Sequence, residues 1–196
     1  MPRDLCPKCY KPQRACLCDL ASPVQTSVEV VIWQHPSETN HPKNSVSLLQ
    51  LSLADVRKLV AEQCSESEFH AWCDKNRGDN SNRTNVILSP LFNSPEYPIK
   101  SDLELDHLRL IVIDGTWRKA RKICHLNPWL QSLPALALER NHQPLYQMRK
   151  PEKPGQYSTL EAVCLALAQL EHNPHKYHPL LQSFVEFNRR WDSFRN

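Results

Sequence analysis

The sequence predicts an α/β domain built on a mostly parallel sheet flanked by helices, preceded by a small metal-binding knuckle. Three observations carry that expectation. The runs SVEVVIWQ at 27–34 and LRLIVID at 108–114 are apolar and β-branched, without the alternation of a half-exposed strand, so both read as strands buried on two faces. Segments with helical spacing lie between and after such runs, and strands alternating with helices imply parallel pairing through crossovers. Four of the eight cysteines crowd into the first 18 residues, a density that favours a metal over disulfides.

The 196 residues, 40% hydrophobic and 23% charged, have globular proportions that suit one main domain and a small appendage. The knuckle is expected over 1–25 and the main domain over 26–196. The net charge of +3 is modest, but the basic residues cluster, which admits a polyanionic partner. No stretch approaches the roughly 18–20 consecutive apolar residues of a membrane span, and the first residues lead into no signal-peptide core. A soluble, cytoplasmic protein without membrane association follows, and nothing calls for a protein partner. Only Gly78, Gly115 and Gly155 occur, so G-x-G-x-x-G is impossible, which weighs against a Rossmann-type methyltransferase or dehydrogenase.

Cys6 and Cys9 form C-x2-C, and after six intervening residues Cys16 and Cys18 form C-x-C. Four thiolates in one short loop suit tetrahedral Zn²⁺, with iron the alternative metal. A site closed by four sulfurs has no open position for catalysis, so its work is structural, holding Lys8, Lys11 and Arg14 near a phosphate backbone. After the strand at 27–34 comes the polar turn HPSETNHP. Val46, Leu49, Leu53, Val56 and Val60 then predict one amphipathic helix over 45–61 that covers the sheet. The polar stretch 65–84 reads as a loop or insertion. A short strand at 85–88, a proline-rich loop, the strand at 108–114, a helix from Thr116 and a strand at 136–139 complete the sheet region. Ser158 and Glu161 fit a capping box opening a helix that runs to Leu170. A last helix, 179–194, is expected to bury Leu181, Phe184, Val185 and Trp191. No internal repeat is present.

Chemistry concentrates where LIVIDGTWRKARKI ends a buried strand and starts a helix, the place at which α/β proteins bind ligands. Asp114 there suits either a helix cap or a chemical role. In the helix, Trp117, Ala120 and Cys124 share a face that packs, whereas Arg118, Arg121 and Lys122 share one able to meet RNA. The stretch YQMRKPEKPGQYSTLEA, 146–162, delivers a basic, proline-stiffened loop onto a helix N-terminus whose amides suit an anion.

DGTW with its basic helix, the downstream RKPEKPGQYSTLEA, the upstream QHPSE and KNS, and the cysteine knuckle together resemble the DTW-domain family over nearly the whole chain, most of all its short bacterial members. The family takes its name from Asp-x-Thr-Trp, here Asp114, Thr116 and Trp117. Ser45 and Lys11 stand where the family commonly has threonine and arginine, departures that leave the implied activity intact. That activity is tRNA-uridine aminocarboxypropyl transfer: S-adenosylmethionine donates its 3-amino-3-carboxypropyl group to uridine N3, and 5′-methylthioadenosine leaves. The resemblance also implies a fold related to the knotted SPOUT proteins, and tRNA as partner. On this reading Asp114 is the general base for the N3 proton, and Gly115, Thr116 and Trp117 shape the cofactor pocket. Leu88, Ser89 and Pro90 add a wall, while Arg149 and Lys150, with Ser158 and Thr159 at the helix start, hold a carboxylate or phosphate. Two rivals remain: a SPOUT-like RNA methyltransferase, told apart by releasing S-adenosylhomocysteine, and a noncatalytic zinc-dependent RNA-binding protein.

Overall fold

A computed structural model describes residues 4–39, 41, 43–75, 83–88, 104–138 and 157–193. These run β1 (Glu29–Gln34), α1 (Val46–Ser52), β2 (Val56–Val60), α2 (Glu66–Lys75), β3 (Thr84–Leu88), β4 (Leu108–Asp114), α3 (Trp117–Leu126), β5 (Ala135–Leu136), α4 (Thr159–Leu170) and α5 (His178–Ser193), joined by short 3-10 turns. They fall into two compact units, each discontinuous in sequence. Among the described residues, no helix is long and apolar enough to cross a membrane.

One unit, Ser27–His41 with Asp55–Ala137, holds a five-stranded sheet of order β2-β1-β4-β3-β5 in which every pair is parallel. The chain leaves β1 for one edge, where β2 lies, and leaves β4 for the other, where β5 lies. The junction of β1 and β4 is therefore the topological switch point, where open parallel sheets form a ligand crevice at the carboxyl ends of the strands. On one face, Val31, Trp33, Ile87 and Ile111 pack with Phe69 and Cys73 of α2 and Ile123 of α3. Trp33 stacks on Phe69 at 5.9 Å between ring centroids, and Trp129 tilts against both rings. Each fully buried aromatic of this kind contributes about 1.5–3 kcal/mol relative to exposure.

At the opposite, amino end of the strands lies a buried ionic cluster. Glu29, wholly inaccessible, receives Arg109 Nε at 2.9 Å, Arg83 Nε at 3.3 Å and the Arg57 guanidinium. Arg109 also donates to Asn85 Oδ1 at 3.2 Å. The register of β1, β2, β3 and β4 is thus tied to one carboxylate.

The second unit contains the N-terminal cysteine segment with α1, α4 and α5. Val24 bridges Leu53, Ser22 Oγ lies 2.8 Å from Ser183 Oγ, and Arg190 pairs with Asp19 at 2.5 Å. The capping box at α4 is present in both arms: Ser158 Oγ accepts from Glu161 N at 3.2 Å, and Ser158 N donates to Glu161 Oε2 at 2.8 Å. At its other end His172 adopts φ 48°, while His172 N and Asn173 N donate back to the Gln169 and Ala168 carbonyls. That is a Schellman closure with histidine where glycine is usual.

Four element expectations change. The helix over 45–61 ends at Ser52, and 56–60 is the edge strand β2. Val56 and Val60 are four apart, a spacing that keeps residues on one face in a strand as well as in a helix, so periodicity alone misassigned them. The stretch 65–84 contains α2, opened by a second capping box in which Ser65 Oγ accepts from Glu68 N and Ser65 N donates to Glu68 Oε2 at 2.8 Å. Residues 76–82 of that stretch lie outside the described residues. Of the strand expected at 136–139, the described residues show Ala135–Leu136, and 139 lies outside them. In α5 the buried residues are Leu180, Phe184 and Phe187; Phe184 is as expected, Leu181 and Val185 lie one position off that face, and Trp191, against Phe187, is only partly buried.

Candidate active site

Asp114 closes β4 directly beside Gln34, which closes β1; the two are register partners across the switch point. Alternation from Trp33 places both side chains on the face opposite the Trp33–Phe69 core. Asp114 is buried, and its Oδ2 accepts a hydrogen bond from Gln34 Nε2 at 2.8 Å. Its carbonyl accepts from the His35 amide at 3.0 Å. A carboxylate offers only lone pairs, so the amide nitrogen of Gln34 must face it, which fixes how that amide is turned. Gln34 Oε1 is then buried, in a residue 1% exposed, and has no hydrogen-bond partner among the described residues.

The segment after β1 is pinned side chain by side chain. His35 Nδ1 accepts from Ser37 N at 3.2 Å, so the ring proton sits on Nε2, which reaches Glu62 Oε1 at 2.8 Å. Lys122 of α3 reaches the other oxygen of Glu62 at 2.5 Å and, with His35, holds that carboxyl below its usual range. Lys119 pairs with Glu38 at 2.6 Å. Gly115 lies where these groups converge; a β-carbon there would meet Lys119 Cβ at 3.1 Å and His35 Cβ at 3.6 Å, so a side chain would press on the junction.

The N-cap of α3 falls on Thr116, two residues past Asp114, and Thr116 makes no side-chain cap bond. The helix buries Ala120, Ile123 and Cys124, whereas Trp117, expected to pack with Ala120 and Cys124, is 49% exposed. It is the first helical residue, and side chains of helices lean toward the N-terminus, beyond the turn that packs. Arg118 and Arg121 are exposed; Lys122 is exposed too, but engaged by Glu62.

Leu88 ends β3 at the same, carboxyl end of the strands, in register with Val112. Ser89, Pro90, Arg149 and Lys150 lie outside the described residues. Ser158 and Thr159 open α4 in the other unit, where the Ser158 hydroxyl caps the helix. The sequence reading singled out neither Gln34 nor Glu62 as a site residue. The available signal for Gln34 was a lone amide at the end of an otherwise apolar strand, in the quoted QHPSE.

In the cysteine segment, the four Sγ atoms of Cys6, Cys9, Cys16 and Cys18 lie within 4.8 Å of one another. Cys6 Sγ to Cys18 Sγ is 3.6 Å and Cys9 Sγ to Cys16 Sγ is 3.8 Å. A tetrahedron with Zn–S bonds of about 2.3 Å has edges of about 3.8 Å, so the donor set fits zinc, and these separations exclude an S–S bond of about 2.05 Å. Backbone amides of Cys9 and Lys8 aimed at the sulfur pull the Cys6 thiol down to about 6, whereas desolvation and the neighbouring sulfurs push Cys18 up to about 12. A bound divalent ion overrides that split, since a coordinated thiol is deprotonated. Lys8 and Arg14 are exposed around this loop, and Lys11 is half-buried.

A parallel α/β unit with a buried carboxylate at its switch point, and a four-cysteine cluster elsewhere in the chain, define the class. The sequence model of the DTW domain matches residues 3–192, and the chain belongs to the DTW-domain family. It is 29% identical over 197 residues to "tRNA-uridine aminocarboxypropyltransferase 2" of Macaca fascicularis, covering 92% of this chain and 61% of that protein. It is also 29% identical over 185 residues to the protein of that name from Drosophila melanogaster, covering 88% and 68%. "tRNA-uridine aminocarboxypropyltransferase A" of Arabidopsis thaliana is 28% identical over 137 residues, 62% of this chain and 50% of that protein. The chain thus spans about six-tenths of the macaque relative's length, and these relatives are eukaryotic rather than bacterial. No solved structure matches the chain.

Proposed function

We propose that the protein is an S-adenosylmethionine-dependent tRNA-uridine aminocarboxypropyltransferase that forms 3-(3-amino-3-carboxypropyl)uridine. The observation that carries this reading is the Asp114–Gln34 pair at the β1–β4 switch point, in a chain of the DTW-domain family whose relatives bear that activity in their names. When bound, S-adenosylmethionine supplies an electrophilic γ-carbon: the N3–Cγ bond forms as the Cγ–S bond breaks, the electron pair stays on sulfur, and methylthioadenosine departs. Asp114 receives the N3 proton, leaving a neutral carboxyl group and a neutral modified base. Gln34 holds that carboxylate in place through its amide N–H. The α3 N-terminus, which Thr116 leaves without a side-chain cap, suits the donor's carboxylate. Gly115, Thr116, Trp117 and Leu88 contribute pocket walls; Ser89, Pro90, Arg149, Lys150, Ser158 and Thr159 are further donor-binding residues that the family resemblance implies.

On the same reading the four cysteines hold a structural Zn²⁺, residues 1–25 act as a tRNA-contacting knuckle through Lys8, Lys11 and Arg14, and 26–196 form the catalytic domain. Arg118, Arg121 and Lys122 extend the RNA face along α3. The all-parallel sheet supports kinship with the SPOUT fold, and substrate chemistry supports a cytoplasmic location.

Asp114→Asn tests the central role. The variant is nearly isosteric and keeps an acceptor for Gln34, so it should fold and bind donor as the wild type does. Single-turnover tRNA modification should fall roughly 10²- to 10⁴-fold at neutral pH and partly recover at higher pH, where free uridine ionises. Full activity in the folded variant would remove Asp114 from the chemistry.

A further inference from the structure

Gln34 carries an unanswered hydrogen-bonding question. Its Nε2 is committed to Asp114, and its Oε1 is a buried acceptor with no partner among the described residues. A buried acceptor left without a donor costs stability, and a ligand bound at the switch point would supply that donor. Position narrows the ligand, because Oε1 belongs to an amide 2.8 Å from a carboxylate, so the local potential favours a cation over a neutral group.

Resting on the reading above, we infer that Gln34 Oε1 accepts a hydrogen bond from the α-ammonium group of the donor's methionine moiety. The nucleoside substrate offers no suitable group on its reacting edge: the N3 proton goes to Asp114, and the flanking O2 and O4 are acceptors, which repel another acceptor. A ribose hydroxyl donates but is neutral and gains little from the adjacent charge. The ammonium is a cation with three donors. It is also bonded to the carbon one methylene away from the reacting γ-carbon, so anchoring it orients the aminocarboxypropyl chain, rather than the methyl group, toward Asp114. Gln34 is thus a positioning residue with two faces, one holding the base and one holding the group that moves.

The test compares S-adenosylmethionine with its analogue in which hydrogen replaces the α-ammonium, by calorimetric binding to the purified full chain. Wild type should prefer the natural donor roughly 10- to 150-fold, the range for a hydrogen bond to a charged group. Gln34→Met fills the same volume without an acceptor and should reduce that preference to a few-fold; it also removes the donor to Asp114, so its melting temperature should fall and binding is compared in the folded variant. Gln34→Glu keeps an oxygen in the same place and, sharing a proton with Asp114, should retain the preference even if Gln34→Met does not fold. An undiminished preference in folded Gln34→Met, or a lost one in Gln34→Glu, overturns the inference while leaving the transferase reading intact. Failure of S-adenosylmethionine itself to bind wild type defeats both.

Discussion

Among the described residues two carboxylates are buried in the sheet unit, at opposite ends of the paired strands β1 and β4, and their surroundings assign them different work. Glu29 at the amino end is locked by Arg57, Arg83 and Arg109, an arrangement with no slack for a change of charge. Asp114 at the carboxyl end accepts from the Gln34 amide, at the end of the strands where parallel sheets bind ligands. Glu29→Gln keeps the shape but leaves guanidinium groups converging on a neutral oxygen. Removing one partner of a buried ionic cluster costs about 3–5 kcal/mol, so urea unfolding should show a loss of that size; a change below 1 kcal/mol would mean that the cluster is compensated from elsewhere. These pairings were invisible in the sequence because Glu29–Arg109 and Gln34–Asp114 each join residues 80 positions apart. Only the strand order brings them together.

Among elements, α2 and β2 show what single-sequence patterns resolve. Ser65-x-x-Glu68 is the same capping signature as Ser158-x-x-Glu161, and both open helices. The first was obscured by a polar sequence around only two buried residues, Phe69 and Cys73. In β2 the partly exposed pattern of an edge strand allowed a helical fit. The four-cysteine cluster was legible, since spacing alone placed four sulfurs within ligand distance. Purified protein should hold about one zinc per chain, and Cys16→Ser should release it, because three thiolates no longer close a structural site. Metal analysis finding none in freshly prepared wild type would contradict the assignment.

For the molecule as a whole, the sequence showed the parallel α/β class, the central strand 108–114 and Asp114 at its carboxyl end, since each follows from local apolar patterning. It could not show that Gln34 stands beside Asp114, because the switch point between β1 and β4 is a property of the sheet order. The central claim is that this crevice directs attack at the γ-carbon of the donor, and product identity tests it most directly. Unmodified tRNA incubated with the protein and S-adenosylmethionine should gain the mass of an aminocarboxypropyl group on one uridine, with an equal amount of methylthioadenosine released, both read by mass spectrometry. A methylated nucleoside with S-adenosylhomocysteine, or unchanged tRNA with folded, donor-bound protein, would contradict the account.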